Sequence, residues 1–387
     1  MGKFLKVSGS LITTGLILAA AYVFGVVVPQ TDAKMNSVTE HAPYTISDKA
    51  KTLHNELYIA DLHTDSLLWR RNPAKRWERG HVDLPRLQEG GVNFQVFSAV
   101  TKSPRGQNFD GNDASAPDNI TLLTLAQLWP MRTWGSLYER AVFQAQRLQK
   151  IESGTSNNIV IVRKASDMSQ PPGILVTLLL TEGSHPLEGK IENVKRLFNE
   201  GYRAMGLHHF FDNELGGSKH GRSHAGLTEF GRKAVLEMKR LGIIIDVAHS
   251  SDQTVRDVLE LIPDPIFISH GGTVSHCPRS ANRNLPDDIL QDIAARGGLL
   301  GIGYFDGAIC DISPKGIAKA IIDAVILMGP DAVALGSDYD GSVETSLDTS
   351  ELAAITHELL NAGMDEELIR KVMGENARTF FTANLPQ

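Results

Sequence analysis

Tyr58-Ile59-Ala60-Asp61-Leu62-His63-Thr64-Asp65 is the stretch from which the architecture can be read. An apolar, β-like run ends there in carboxylates and an imidazole. The same transition recurs along the chain. Ile174 to Leu180 leads into Thr181-Glu182-Gly183, and Met205-Gly206-Leu207 into His208-His209. Ile243-Ile244-Ile245 leads into Asp246-Val247-Ala248-His249, Ile266-Phe267-Ile268 into Ser269-His270, and Val333-Ala334-Leu335 into Gly336-Ser337-Asp338. In a parallel α/β barrel the strand C-termini gather on one face, so residues far apart in sequence meet there. Imidazoles and carboxylates at one mouth make an N/O metal site suited to two ions.

The 387 residues are 42% hydrophobic, enough for one large α/β domain of barrel size or two ordinary ones. The formal net charge of -7, with no long Lys/Arg block, argues against nucleic acid as a partner. Leu11 to Val28 carries no charge and follows Lys3 and Lys6. The run reaches the ~18 residues that read as a span, beyond the ~7–15 of an ordinary signal h-region. Residues 1–30 are therefore expected to be a signal anchor or a signal peptide. Either places the domain outside the cytoplasm, anchored to the inner membrane or periplasmic. Residues 31–50 read as a polar linker and 51–387 as the barrel domain.

Strands are expected at 57–62, 92–99, 174–181, 203–208, 243–248, 265–269, 298–303 and 332–336. A further small strand is expected over 157–162. Helical spacing marks Phe230, Ala234, Met238 and Leu241, opened by Thr228 as N-cap and closed by Gly242. Other helices are read over about 286–295 and 317–328, and 118–152 reads as one long helix or a pair. The Gly/Asn/Asp/Pro-rich loop 101–117 is placed over the mouth, and 212–227 is a second such loop. Alternation favours a (β/α)8 barrel or a doubly wound sheet. Polar groups at most strand ends favour the barrel.

His63 and Asp65 are two apart, which puts them on one face of a strand. Asp61 shares that face and is expected to hold an imidazole N–H. Taken alone, such a triplet is as well explained by a turn-capping Asp beside a core His. Glu182 follows an apolar run and would be costly to bury unless paired or ligated. Its two oxygens could bridge two ions; the bland alternative is a helix-start Glu. A single His at a strand end is most often structural, but His249 and His270 join a cluster. Asp338 sits in a Gly/Asp-rich turn, commonly no more than a turn. At the last strand's end it is also placed as a proton acceptor or ligand. Cys277 and Cys310 fall in successive loops, so they form one disulfide or remain two thiols.

The motifs together resemble the membrane dipeptidase (renal dipeptidase) family, the M19 metallopeptidases. They are Asp61-Leu62-His63-Thr64-Asp65, His81 to Leu87, Thr181-Glu182-Gly183, Gly201 to His209 and Gly226 to Gly231. They continue with Asp246 to Ser250, Ser269-His270, Arg283-Asn284-Leu285, Gly336 to Gly341 and Gly374 to Arg378. The resemblance implies a TIM-like barrel with two Zn2+ per chain. It implies that His63 and Asp65 hold one ion, His249 and His270 the other, with Glu182 between them. His209 would contact substrate and steady the tetrahedral intermediate. Arg283 would hold the substrate carboxylate, and Asp338 would shuttle the proton. It also implies a Cys277–Cys310 bridge and is compatible with a homodimer.

The chain departs from the mammalian pattern in having Phe305 beside Tyr304 where a substrate-contacting Tyr is expected. Phe210-Phe211-Asp212-Asn213 also differs, and two residues are added between His270 and Arg283. The activity implied is zinc-dependent hydrolysis of dipeptides, including those with a C-terminal D-residue, by a hydroxide shared between the ions. The competing enzyme reading is a related amidohydrolase acting on N-acyl amino acids, lactams or lactones. A competing reading of another class is a surface binding protein that keeps the metals without turnover. Manganese or cobalt would also suit the mixed His/carboxylate donors.

Overall fold

The computed structural model describes residue 18 and residues 21–154 and 158–387. Nine parallel strands form one sheet. They are β1 (Ile59–Asp61), β2 (Val92–Val100), β3 (Ile159–Ile161), β4 (Leu175–Glu182) and β5 (Tyr202–Gly206), then β6 (Ile244–Asp246), β7 (Phe267–Gly271), β8 (Leu299–Ile302) and β9 (Val333–Leu335). β2 pairs directly with β4, and Asp61 of β1 pairs with Leu335 of β9. Eight strands therefore close on themselves with helices between them, a TIM-like (β/α)8 barrel. All eight expected barrel strands are present. The small extra strand, β3, pairs with Leu175–Thr177 at the start of β4, while β5 takes Leu179–Thr181.

Two hydrophobic layers hold this shape. Inside the barrel, Ala60, Phe94, Val176, Leu178, Ile244, Phe267, Leu299 and Ala334 are buried together. The helix Asn376–Asn384 closes the N-terminal end, where Phe381 meets Phe94 and Phe267. Outside, a larger layer joins strands to helices, with Ala234, Val235 and Met238 of the helix Glu229–Leu241 buried in it. Thr228 caps that helix by accepting from the Gly231 N–H, and Gly242 ends it at φ 72°, which favours glycine. Residues 118–152 form a helix pair, Asn119–Ala126 and Leu137–Glu152, broken near Leu128 and Pro130.

The amino-terminal segment departs from the linker picture. Val28–Met35 is helical, and its Asp32 is buried against Arg71 (3.0 Å) and Arg79 (2.8 Å). Val38 then bridges to Thr345. Polar composition suggested a free segment, but distant arginines give the carboxylate its partners. Half of the apolar run at 11–28, residues 11–17, 19 and 20, lies outside the described residues. Among the described residues no helix is long and apolar enough to cross a membrane.

Candidate metal centre

The side chains expected from sequence converge at the C-terminal mouth of the barrel. Glu182 is the last residue of β4, His270 lies in β7, and His63, Asp65, His209, His249 and Asp338 follow β1, β5, β6 and β9. All are buried. Glu182 stands at the centre. Its Oε1 lies 3.1 Å from His249 Nε2, 3.5 Å from His270 Nε2 and 3.7 Å from His63 Nε2. Its Oε2 lies 3.4 Å from His209 Nε2. His63 Nε2 is 3.5 Å from Asp65 Oδ1 and 3.9 Å from Asp338 Oδ1. Three overlapping sets of donors lie within 4.8 Å of one another: His63/His270/Asp338, Glu182/His209/His249 and His63/Asp65/Glu182.

The outer contacts set which ring nitrogens face inward. Ser269 Oγ donates to Asp246 Oδ2 at 2.7 Å. Its proton is thereby spent, so the same oxygen accepts from His63 Nδ1 (3.1 Å) and His270 Nδ1 (2.9 Å). One hydroxyl thus fixes the tautomer of two imidazoles and leaves both Nε2 lone pairs pointing into the site. Ser269 and His270 are sequence neighbours and would face opposite ways on a regular strand. The β7–β8 register shifts between Ile268 and Gly271, and this irregularity brings both inward. Gly301 and Gly336 allow the close approach, since a Cβ at either would stand about 2.2 Å or less from the Ser269 carbonyl. Asp61 corrects the sequence expectation. It accepts from the backbone N–H of His63 and Ser337 and from Gln95, not from an imidazole.

Divalent ions fit this donor set. His249 Nε2 and His270 Nε2 are only 2.9 Å apart, and with both protons on Nδ1 their lone pairs oppose each other. Among the described residues, His63 Nε2, Asp65 Oδ1 and Glu182 Oε2 find no hydrogen-bond partner, though all are buried. Such an arrangement is unfavourable unless a cation is shared. Burial, then the Asp65 and Asp246 carboxylates, pushes Glu182 well above the usual carboxylate range. Burial does the same to Asp338, opposed by His63 and reinforced by Glu182 and Asp65. Burial alone would depress His63, but Asp65, Asp338 and Asp246 outweigh it and raise its pKa. Burial holds His249 and His270 well below the usual histidine range. The protein alone therefore keeps His249 and His270 neutral, the ligating form, beside Glu182 and Asp338 carboxyls that a bound cation would ionise.

The cavity at the mouth measures about 130 Å³. Asp65, Glu182, His209, His249, Arg283 and Asp338 give it chemistry; Leu68, Val100, Ile120, Phe210, Phe305 and Val343 give it apolar wall. Arg283 is buried there despite the two added residues, with Nη2 3.3 Å from the His270 carbonyl and its guanidinium 5.5 Å from the Phe305 ring. Phe305 lines the cavity while Tyr304 is buried in the core. Asp338 and His249 hold left-handed backbone at φ 62°, strain that the surrounding contacts must maintain. His209 Nδ1 donates to the Lys102 carbonyl at 3.1 Å. Its Nε2 is then an acceptor in the neutral ring and a donor only in the imidazolium, and burial pushes the ring down to about 4. Loop 101–117 does lie over the mouth, contributing Ser103, Gln107 and Phe109 to the cavity. Cys277 and Cys310 form a disulfide that ties the loop after β7 to the loop after β8. Sequence reasoning assigned no role to Asp246, Ser269 or His220, whose partners become visible only in three dimensions.

A (β/α)8 barrel with imidazoles and carboxylates gathered at its C-terminal mouth has the form of the metal-dependent hydrolases. Residues 47–383 match the model of the membrane dipeptidase family, peptidase family M19, and the chain belongs to that family of metallo-dipeptidases. A fungal relative, Dipeptidase tcpJ of Claviceps purpurea (strain 20.1), is 29% identical over 310 residues, covering 77% of this chain and 68% of its own. A metallopeptidase from Rhodobacter sphaeroides, solved with a phosphinate mimic of L-Ala-D-Ala, superposes with TM-score 0.68 at 24% identity, over 85% of this chain and 99% of that one. The probable dipeptidase PvdM from Pseudomonas aeruginosa superposes with TM-score 0.70 at 18% identity, over 86% and 97%. At these identities the structural likeness speaks to the fold.

Proposed function

We propose that this metallo-dipeptidase carries two Zn2+ ions and hydrolyses the peptide bond of small dipeptides, those with a C-terminal D-residue included. One observation carries the reading: the donors of His63, Asp65, Glu182, His249 and His270 face one another around Glu182, with buried Arg283 opening on the same cavity. His63 and Asp65 would hold one ion, His249 and His270 the other, and Glu182 both. Bound there, such ions supply Lewis acidity and bring the pKa of water toward ~7, which gives hydroxide at neutral pH.

The chain's own residues position and shuttle. Arg283 pairs with the C-terminal carboxylate of the substrate through its planar fork. Asp338, a carboxylate once bound cations have ionised it, takes the proton of the attacking water as that water's oxygen bonds to the carbonyl carbon. It then delivers that proton to the amine as the C–N bond breaks. His209 lines the same cavity and would stand beside the reacting carbonyl; its Nε2, 3.4 Å from Glu182 Oε2, donates to the oxyanion only as the imidazolium, which burial disfavours until that negative charge develops. Acceptance of a C-terminal D-residue is supported by the mimic of L-Ala-D-Ala bound by the Rhodobacter protein. Export of the domain, with the apolar amino-terminal run as its anchor or signal, is supported by the disulfide.

Metal analysis of purified protein, followed by a panel of L-L and L-D dipeptides, N-acyl amino acids and lactones, tests the reading. Two zinc per chain with turnover of dipeptides is the expected result. Bound zinc with turnover of N-acyl amino acids or lactones alone, or with no turnover, refutes it. Full activity in a folded Glu182→Gln variant refutes the mechanism.

A further inference from the structure

His220 lies in loop 212–227 and lines no part of the cavity, yet it touches the centre. Its Nε2 is 3.0 Å from His249 Nδ1, and its Nδ1 is 3.4 Å from the Phe109 carbonyl oxygen. A carbonyl only accepts, so the His220 proton sits on Nδ1 and Nε2 is left to accept. His249 Nδ1 must then donate, which bares His249 Nε2 toward Glu182 and His270. The order of protons is thus fixed from both ends of the chain of contacts.

The same segment holds the backbone of His249 in its left-handed conformation. The Lys219 N–H donates to the His249 carbonyl at 2.7 Å, Ser218 Oγ stands 3.0 Å from that carbonyl, and the His220 N–H donates back to Ser218 Oγ at 3.1 Å. On the other side, Asn112 donates to the His220 carbonyl through its N–H (2.8 Å) and its Nδ2 (3.0 Å). The His220 ring stacks on Phe210 with centroids 4.8 Å apart.

We propose that His220 is a positioning residue: it locks His249 in the Nδ1-protonated tautomer and fastens it to loop 101–117. The inference rests on the reading of the cluster as a metal centre. His220→Phe keeps an aromatic ring against Phe210 and removes the acceptor; His220→Gln removes the ring and returns an oxygen acceptor. Zinc is titrated against a competing chelator in parent and variants, with cobalt absorption as a second readout and the melting temperature of chelator-treated protein as the check on folding.

The parent should bind two ions. The Phe variant should hold one as tightly as the parent and the other roughly 10–100-fold more weakly, with an altered cobalt spectrum. The Gln variant should stay within a few-fold of the parent. A Phe variant holding both ions as the parent does overturns the proposal, and so does a Gln variant as weak as Phe. A parent that binds no zinc or cobalt sinks the metal reading itself. Histidine-selective 1H–15N correlation spectra of zinc-loaded parent decide the matter if the variants do not fold. A proton on His220 Nδ1 supports the proposal, and one on Nε2 overturns it.

Discussion

Replacing Ser269 by Ala removes one oxygen atom and three interactions. The Asp246 carboxylate loses a donor at 2.7 Å, and His63 and His270 each lose the acceptor of Nδ1. Ala fills nearly the same space, so no large cavity opens. Each buried N–H left without a partner costs about 1–3 kcal/mol, and either ring can escape part of that by moving its proton to Nε2. That escape destroys the ligating lone pair. The cost therefore appears mainly in metal binding, at about 1.4–2.7 kcal/mol per ion, a 10–100-fold loss in affinity. The two rings belong to different proposed ions, so both affinities should fall together. A chelator-competition titration with zinc resolves the two steps, and circular dichroism checks the fold. Ser269→Thr, which keeps the hydroxyl, should recover most of the loss. If Ser269→Ala binds both ions within about twofold of the parent, the shared-hydroxyl reasoning is wrong.

Arg283→Lys should raise KM for a free dipeptide about 10–100-fold with a smaller change in kcat, because the planar two-pronged pairing is lost. The parent should discriminate strongly against a C-terminal amide, and a neutral Arg283→Met variant should not; equal discrimination in parent and Met variant would remove Arg283 from substrate binding. His208 is buried, and burial pushes its pKa down to about 4 from 6.5. The unfolded ring binds its proton first as pH falls. Stability is therefore intact above about pH 6.5, is lost toward pH 4, and falls by about 2 kcal/mol from this group at pH 5. Urea melts at pH 7 and pH 5 should show that loss, and His208→Gln should remove it. Cys277→Ser with Cys310→Ser opens a bridge of sequence separation 33, for which chain entropy gives about 3–4 kcal/mol. An unchanged denaturation midpoint would show that the bridge adds no stability.

The residues that end strands were readable from sequence because the strands themselves were. A buried apolar run that stops at a charged residue marks both a strand and its mouth, as at Asp61, Glu182, Asp246 and Asp338. Helix caps such as Thr228 and Gly242 were readable for similar local reasons. What escaped depends on contacts between distant segments. On a regular strand Ser269 faces away from His270, and the irregularity that turns both inward has no local signature. His220 sits in a Gly/Ser-rich loop without periodicity, and only the fold sets it against His249. Asp61 was given the right neighbourhood and the wrong partner, because backbone amides competed for it and won. Asp32 was lost in a polar stretch whose composition says nothing of Arg71 and Arg79.

Asp32 shares the Arg71 guanidinium with Asp340, whose Oδ1 is 2.8 Å from Arg71 Nη2, and Asp340 is two residues from Asp338. The helix Val28–Met35 is therefore a strut and not a leash. A fluorophore or fusion partner joined ahead of Val28 would ride at a fixed angle to the barrel mouth instead of swinging around it. A torque applied there would be delivered to a joint two residues from Asp338, the proposed proton carrier.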